Sequence, residues 1–324
     1  MKRGRIYLGI VVSLIVIGYV LLKLDWQQVW ITINSLNWDW LIVALLFQIA
    51  NYYFRSMRFI SILDLADFPF LKILGITNLY GMYLYLMPFK VGEASFPLLI
   101  KEHLDVPLVK STAALLVVRF TDFMVIALLI PAMLIFQWTN LSGWLRYGAG
   151  LLSMVIFSLW LFFIWLVRNP DKILNSQVMN INLRKAVMKR IRQIILRIFE
   201  EILRIDRQKK YWRTLIFTSL IWICIQATLF FIIKSLGFSI VITQVFMITI
   251  ITLLLSLSPI QGIANLGSHE ISWVTAFALF GFTYNDSLNI AVNSHLIYIA
   301  LSILLGLSGN VLITFWKPKD RPLQ

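Results

Sequence analysis

The 324-residue chain is 60% hydrophobic and 14% charged, with a mean hydropathy of +0.82 and a formal charge of +14 at neutral pH. A soluble domain is about half apolar and about a quarter charged, so these proportions exclude a water-solvated globule and make lipid the solvent. In lipid the backbone must satisfy its own hydrogen bonds, which leaves helices or closed barrels. The apolar runs are long and continuous, not alternating, and this excludes a barrel.

In chain order, Lys2, Arg3 and Arg5 precede an apolar run over 6–22 that closes on Lys23, Asp25 and Trp26. No A-x-A-like cleavage site follows, so the run reads as an uncleaved first span. Further spans are expected over 40–54, 71–87, 111–136, 144–167, 214–233, 240–257 and 288–316, with a shorter apolar stretch at 271–282. The only cysteine, Cys224, excludes an internal disulfide and a cysteine-based metal site.

Segment 168–213 holds 13 Lys/Arg against 4 Asp/Glu, a net of +9, and Lys317, Lys319 and Arg321 follow the last span. The positive-inside rule then places the N-terminus, this segment and the C-terminus in the cytoplasm, across an inner or plasma membrane. Charge distributed this way fixes topology and points away from nucleic acid. Within the segment, Val187, Ile191, Ile194, Ile195, Ile198, Ile202 and Ile205 recur at helical spacing among Lys189, Arg190, Arg192 and Arg197. An amphipathic helix on the cytoplasmic leaflet is expected. It either binds anionic headgroups or serves only to fix topology.

Counting crossings exposes two breaks. The span 40–54 returns to the cytoplasm at Arg55 and Arg58, while 144–167 must run inward and 111–136 outward. The piece between, 71–110, therefore begins and ends on one side, and its second limb, 94–104, is too short for a ~30 Å hydrocarbon core. It reads as a re-entrant hairpin with its tip at Pro88, Phe89, Lys90, Val91, Gly92 and Glu93. In the second half, 240–282 repeats the pattern from the opposite face, with its tip running from Pro259 through Gly262, Asn265 and Gly267 to His269 and Glu270. Trp40 to Thr214 is 174 residues, Pro88 to Pro259 is 171, and Glu93 to Glu270 is 177. The near-constant offset suggests a duplication of inverted topology, the layout of many secondary transporters. Ordinary short loops at the membrane surface are the plainer alternative.

The expected architecture is thus an all-α polytopic membrane protein of about six full spans plus two re-entrant hairpins. It forms one transmembrane domain over 1–324, with halves at 1–167 and 214–324 flanking the basic segment 168–213. No soluble catalytic domain is expected.

Arg119 and Asp122 lie three residues apart on one helix face, inside an apolar run. Asp122 would sit roughly 16 Å into the helix, near the midplane, where a charge costs roughly 2.5–3.5 kcal/mol. Mutual pairing or a wet, phosphate-binding cavity must offset that cost. Glu93 and Glu270 follow the tip glycines at the expected starts of the return helices, where helix dipole and free N–H groups favour a carboxylate. The same N-termini, with Lys90, suit an anionic headgroup. Asn78, Asn265, Asn293 and His295 are further polar candidates. The three histidines are scattered without ligand spacing, so no metal is expected, and no nucleotide-binding loop or nucleophile elbow suggests a cofactor or catalysis.

Three ordered motifs carry a resemblance. Pro88 through Glu93, then Arg119 to Asp122, then Pro259 through Gly267 and Glu270 resemble the family pattern P-x-R-x-G-E, E-R-x-x-D and P-x-x-G-G-x-G-x-x-E. This is the lysylphosphatidylglycerol synthase transmembrane-region family, also described as flippase-like, and the likeness covers roughly residues 5–316. Val118 stands where the family has an acidic residue, Lys90 where Arg is commoner, and Gln261-Gly262 where Gly-Gly is usual.

The resemblance implies a lipid-flippase fold whose polar motifs line a headgroup cavity. That cavity would comprise Lys90, Gly92, Glu93, Arg119, Asp122, Gly262, Gly267, His269 and Glu270, with Arg55, Arg58, Asn78 and Asn265 as further candidates. The implied partner is a phosphate-bearing membrane lipid: an anionic or aminoacylated phospholipid or a polyprenyl-phosphate-linked sugar. In the synthases a separate soluble domain makes the lipid; the chain closes at Gln324 just after the last span, so no aminoacyl-transferase activity is expected. The alternative is a non-transporting partner that recruits a membrane enzyme through its basic segment.

Overall fold

The computed structural model describes residues 31, 34–136, 143–170, 186–255, 264 and 268–315. The expected first span over 6–22, together with Gly262, Asn265 and Gly267, lies outside the described residues. Among those described there are α-helices and no strand.

In chain order the helices are α1 (Trp38–Leu63), α2 (Phe70–Leu86), a 3-10 segment (Pro88–Ala94), α3 (Ser95–Leu104), α4 (Leu108–Phe136) and α5 (Gly143–Arg168). There follow α6 (Ala186–Arg207), α7 (Tyr211–Ser235), α8 (Ile242–Leu255), α9 (Ser268–Ala278) and α10 (Tyr284–Thr314). Four are long and apolar enough to cross a membrane: α4, α5 from Arg146, α7 and α10. Exposed Leu151, Met154, Leu159 and Phe162 along α5 are the surface expected where lipid replaces water.

Local chemistry sets the helix ends. Asn37 caps α1 through its Oδ1, which accepts from the Trp40 N–H at 3.3 Å. Thr283 and Asp286 cap α10 reciprocally: the Asp286 N–H donates to Thr283 Oγ1 at 3.1 Å and the Thr283 hydroxyl to Asp286 Oδ2 at 2.7 Å. At the other ends, Asp64, Gly237 and Gly281 adopt φ of 55°, 83° and 81°. The next residue's N–H then reaches back to the last turn in each case: Leu65 to Ile60, Phe238 to Ile233 and Phe282 to Phe277. These are Schellman closures, which need a left-handed residue.

The described chain packs as two compact units, each drawn from several stretches of sequence. The first draws its described residues from 1–47, 81–93 and 226–305. Its interior joins Ala44, Ile232 and Leu301, with Trp40 and Phe47 stacked on Phe231 at 5.4 and 5.6 Å. The second draws its described residues from 48–80, 94–225 and 306–324. There Phe59 stacks on Phe96 at 3.9 Å, and Phe120 on Phe163 at 3.7 Å joins α4 to α5.

Two features of the second unit show how it tolerates residues that break helices elsewhere. Pro131 lies inside α4 and has no N–H, so the carbonyl of Ala127 loses its helical donor. Ser153 of α5 supplies a replacement, its hydroxyl donating to that carbonyl at 2.8 Å. Gly75 of α2 and Gly309 of α10 meet backbone to backbone: a Cβ on Gly75 would lie 2.8 Å from the Gly309 carbonyl oxygen, and one on Gly309 would lie 2.6 Å from that of Gly75.

The amphipathic helix expected in the basic segment is α6. Its C-terminal half buries Ile202, Leu203 and Ile205 in protein, whereas Ile194 and Ile195 remain exposed. The C-terminal end of the apolar stripe is therefore core, not a lipid-facing surface. Beyond α6, the side chains of Gln208 and Lys210 hydrogen-bond to the Asp64 carboxylate. Burial raises the pKa of that carboxyl, but the Lys210 and Gln208 hydrogen bonds and the Lys210 charge outweigh it and leave Asp64 below its ordinary range.

Candidate functional site

The polar residues of interest fall into one group in each unit. In the second unit, α1 does not stop at Phe54 as expected but runs on to Leu63, placing Arg58 inside the helix and almost fully buried. Its Nη1 donates to Asp122 Oδ1 at 2.6 Å and to Thr218 Oγ1 at 3.0 Å. Arg119 pairs with the other carboxylate oxygen of Asp122 at 3.5 Å and donates to the Tyr80 hydroxyl at 3.2 Å. Spacing on α4 made the Arg119–Asp122 pair legible. Arg58, a further candidate from the sequence, was not legible as the closer partner of Asp122, because the apolar run ends before it while the helix does not.

One carboxylate thus faces two guanidiniums among apolar helices. Arg55, one turn earlier, donates from Nε to Asn51 Oδ1 at 2.9 Å and adds a further cation to this stretch of α1. Asn78 lies on α2, where its amide donates to Ser308 Oγ at 3.2 Å beside the Gly75–Gly309 contact, so its visible role is packing.

The same unit holds a half-open cavity of about 670 Å³ between α4, α5 and the α6–α7 corner. Phe120, Trp160, Phe163 and Trp212 give it aromatic walls, and Arg168, Arg207 and Lys209 contribute cations. Thr121 also lines it, and the Thr121 and Thr218 hydroxyls lie 3.4 Å apart, with Thr218 also bound by Arg58. The cavity is thus one hydroxyl pair away from the Arg58–Asp122 cluster. Sequence reasoning missed it; the aromatic and basic residues crowded at 160–168 and 207–213 were its only trace.

In the first unit, the 3-10 segment forms the break expected at 88–93. Gly92 is required there by space, since a Cβ would approach the Tyr83 carbonyl oxygen to 2.3 Å and the Leu84 Cα to 2.6 Å. Glu93 is half-buried and lies in the 3-10 segment, ahead of α3, whose N-cap position is Ala94. The side chain of Lys90 lies outside the described residues. Asn293 turns back along its own helix, donating to the Asn289 carbonyl and side-chain oxygens at 3.0 and 2.6 Å.

Glu270 occupies the first turn of α9, as expected. Its Oε1 lies 2.5 Å from Nδ1 of His295 on α10. The imidazoles of His269 and His295 stack at 4.0 Å between ring centres, and Trp273 stacks on His269 at 4.9 Å. The reading of the histidines as scattered, with no ligand grouping, is therefore corrected: 26 residues apart in sequence, two of the three meet beside a glutamate. Folding α9 against α10 brings them together, and no local spacing could report it.

Comparison with known proteins gives one match. The model of a family described as the lysylphosphatidylglycerol synthase TM region matches residues 6–306, nearly the whole chain. No curated protein and no solved structure matches significantly. Together with the apolar helices, that match makes this a multi-pass helical membrane protein that belongs to the lysylphosphatidylglycerol synthase transmembrane-region family.

Proposed function

We propose that this protein moves a phosphate-bearing lipid across the cell membrane. The lipid would be an anionic or aminoacylated phospholipid, or a polyprenyl-phosphate-linked glycolipid. The observation that carries the reading is the Arg58–Asp122–Arg119 cluster, with two guanidiniums on one carboxylate inside apolar helices. Ionisable side chains within membrane helices mark functional sites, and a phosphate oxygen is an acceptor that guanidinium geometry suits well. The neighbouring aromatic cavity, with Arg168, Arg207 and Lys209 in its lining, has room for acyl chain and headgroup together.

The duplicated, inverted layout belongs to the same proposal. Helix lengths run 26, 17, 10 and 29 residues over α1–α4 and 25, 14, 11 and 31 over α7–α10. Left-handed residues follow corresponding helices, Asp64 and Gly237 after α1 and α7, Asp105 and Gly281 after α3 and α9. At 1.5 Å per residue, α3 and α9 each cover only about half of a ~30 Å core, as return limbs of two re-entrant hairpins would. The basic segment and both termini then face the cytoplasm.

The test is reconstitution in liposomes with a headgroup-labelled anionic phospholipid. Wild-type protein should translocate the label. Arg119→Gln and Asp122→Asn should slow it by about tenfold or more, the kinetic equivalent of one charged hydrogen bond of about 1.5–3 kcal/mol. Unchanged rates in both variants would sink the reading. Loss of a co-purifying enzyme on neutralising Arg184, Lys185, Lys189 and Arg190 would put recruitment in its place.

A further inference from the structure

We infer that His269, Glu270 and His295 form a binding site for a divalent transition-metal ion of the zinc class. One potential ligand atom from each residue lies within 4.8 Å of the other two. His295 is 1% exposed, and its Nδ1 sits against Glu270 Oε1 at 2.5 Å. Its other ring nitrogen, Nε2, is buried without a hydrogen-bond partner among the described residues, and so is Nδ1 of His269.

Two buried ring nitrogens without partners are an unusual cost to carry in one stack. Each forfeits about 1–3 kcal/mol relative to a satisfied group, and neither imidazole can satisfy the other, because stacked rings point their nitrogens alongside and not at each other. An ion held by His269 and by the Nδ1 edge of His295, which Glu270 already faces, relieves one of these two costs, at His269 Nδ1. Two imidazoles and one carboxylate match the donor preference of zinc and its first-row neighbours, whereas magnesium and calcium want six or more oxygens. Bonds of about 2.1 Å at tetrahedral angles set ligand atoms about 3.4 Å apart, so closing on an ion needs shifts of roughly 1 Å, within reach of side-chain rotation. A fourth position is left for water.

Bound there, the ion ties the first turn of α9 to α10. It would steady the chain where it leaves the second polar break. All three ligands belong to the first unit, and the assignment does not draw on the Arg58–Asp122 cluster.

The measurement is titration of untagged, full-length protein in lipid nanodiscs with Zn²⁺ by calorimetry, and with Co²⁺ by visible absorption. One equivalent should bind, giving the intense d–d bands of tetrahedral cobalt, and chelator should remove it. His295→Ala and His269→Ala should weaken binding by about 100-fold or more, beyond what loss of an outer-shell partner does. Glu270→Gln, nearly isosteric, should do the same while leaving the protein monodisperse. His103→Ala, at the only other histidine, should bind as wild type. No stoichiometric binding, or binding unaltered in a folded Glu270→Gln protein, would overturn the assignment.

Discussion

Arg58 and Asp122 form a 2.6 Å ion pair across 64 residues of sequence, and Arg58 lies almost wholly out of contact with solvent. A charge buried this way is worth little by itself, since desolvation offsets most of the attraction. Removing one partner is another matter, because it strands the other.

Arg58→Ala and Asp122→Asn should each destabilise the protein by about 3–5 kcal/mol. The paired replacement Arg58→Met with Asp122→Leu should recover most of that stability and still abolish lipid movement. Thermal unfolding in detergent reports the first quantity, and the liposome assay the second. A double variant that still transports would leave the ion pair a purely architectural role.

The contact between Gly75 and Gly309 makes a sharper steric prediction. A Cβ at either position falls within 2.8 Å of the facing carbonyl oxygen, so Gly75→Ala or Gly309→Ala must push two backbones apart. A loss of about 1–3 kcal/mol is expected, as for overpacking. Gly148→Ala on α5, with nothing within 4 Å of its Cβ, should be neutral or slightly stabilising. Unfolding midpoints of the three variants decide the matter.

Ser153 and Pro131 should behave as a coupled pair. Ser153→Ala leaves the Ala127 carbonyl without its donor and should cost about 1 kcal/mol. In a Pro131→Ala background α4 regains the N–H that this carbonyl needs, so the same serine change should then cost little. A double-mutant cycle measures the difference, and additive effects would contradict the proline-compensation account.

Asp64 carries a pH dependence. Its carboxyl is held below the ordinary range chiefly by Lys210 and Gln208 against the opposing effect of burial. A depressed carboxylate stabilises the folded state fully above its unfolded pKa of about 4. That contribution fades as pH falls through the lower folded value. The side chain is half-exposed, so the contribution is below about 1 kcal/mol. Limited proteolysis near Lys209 should accelerate modestly in acid, and Asp64→Asn should show the same rate at neutral pH without further acid dependence.

Composition by itself determined that lipid is the solvent, that helices are the only spanning element, and where most of them lie, because hydrophobic run length reports burial in a bilayer directly. Spacing of three on one helix paired Arg119 with Asp122, and Pro and Gly in an apolar run located the break that the 3-10 segment occupies. Tertiary structure alone decided who meets whom across helices. It extended α1 past its apolar run so that Arg58 reaches Asp122, set Gly75 against Gly309, and shaped a half-open aromatic cavity between α4, α5 and the α6–α7 corner. It also folded His295 onto Glu270 and His269. Helical periodicity encodes which face of a helix is apolar. It carries no record of which helix will cover that face, and the arrival of Arg58 at Asp122 and of His295 at Glu270 depends on that choice.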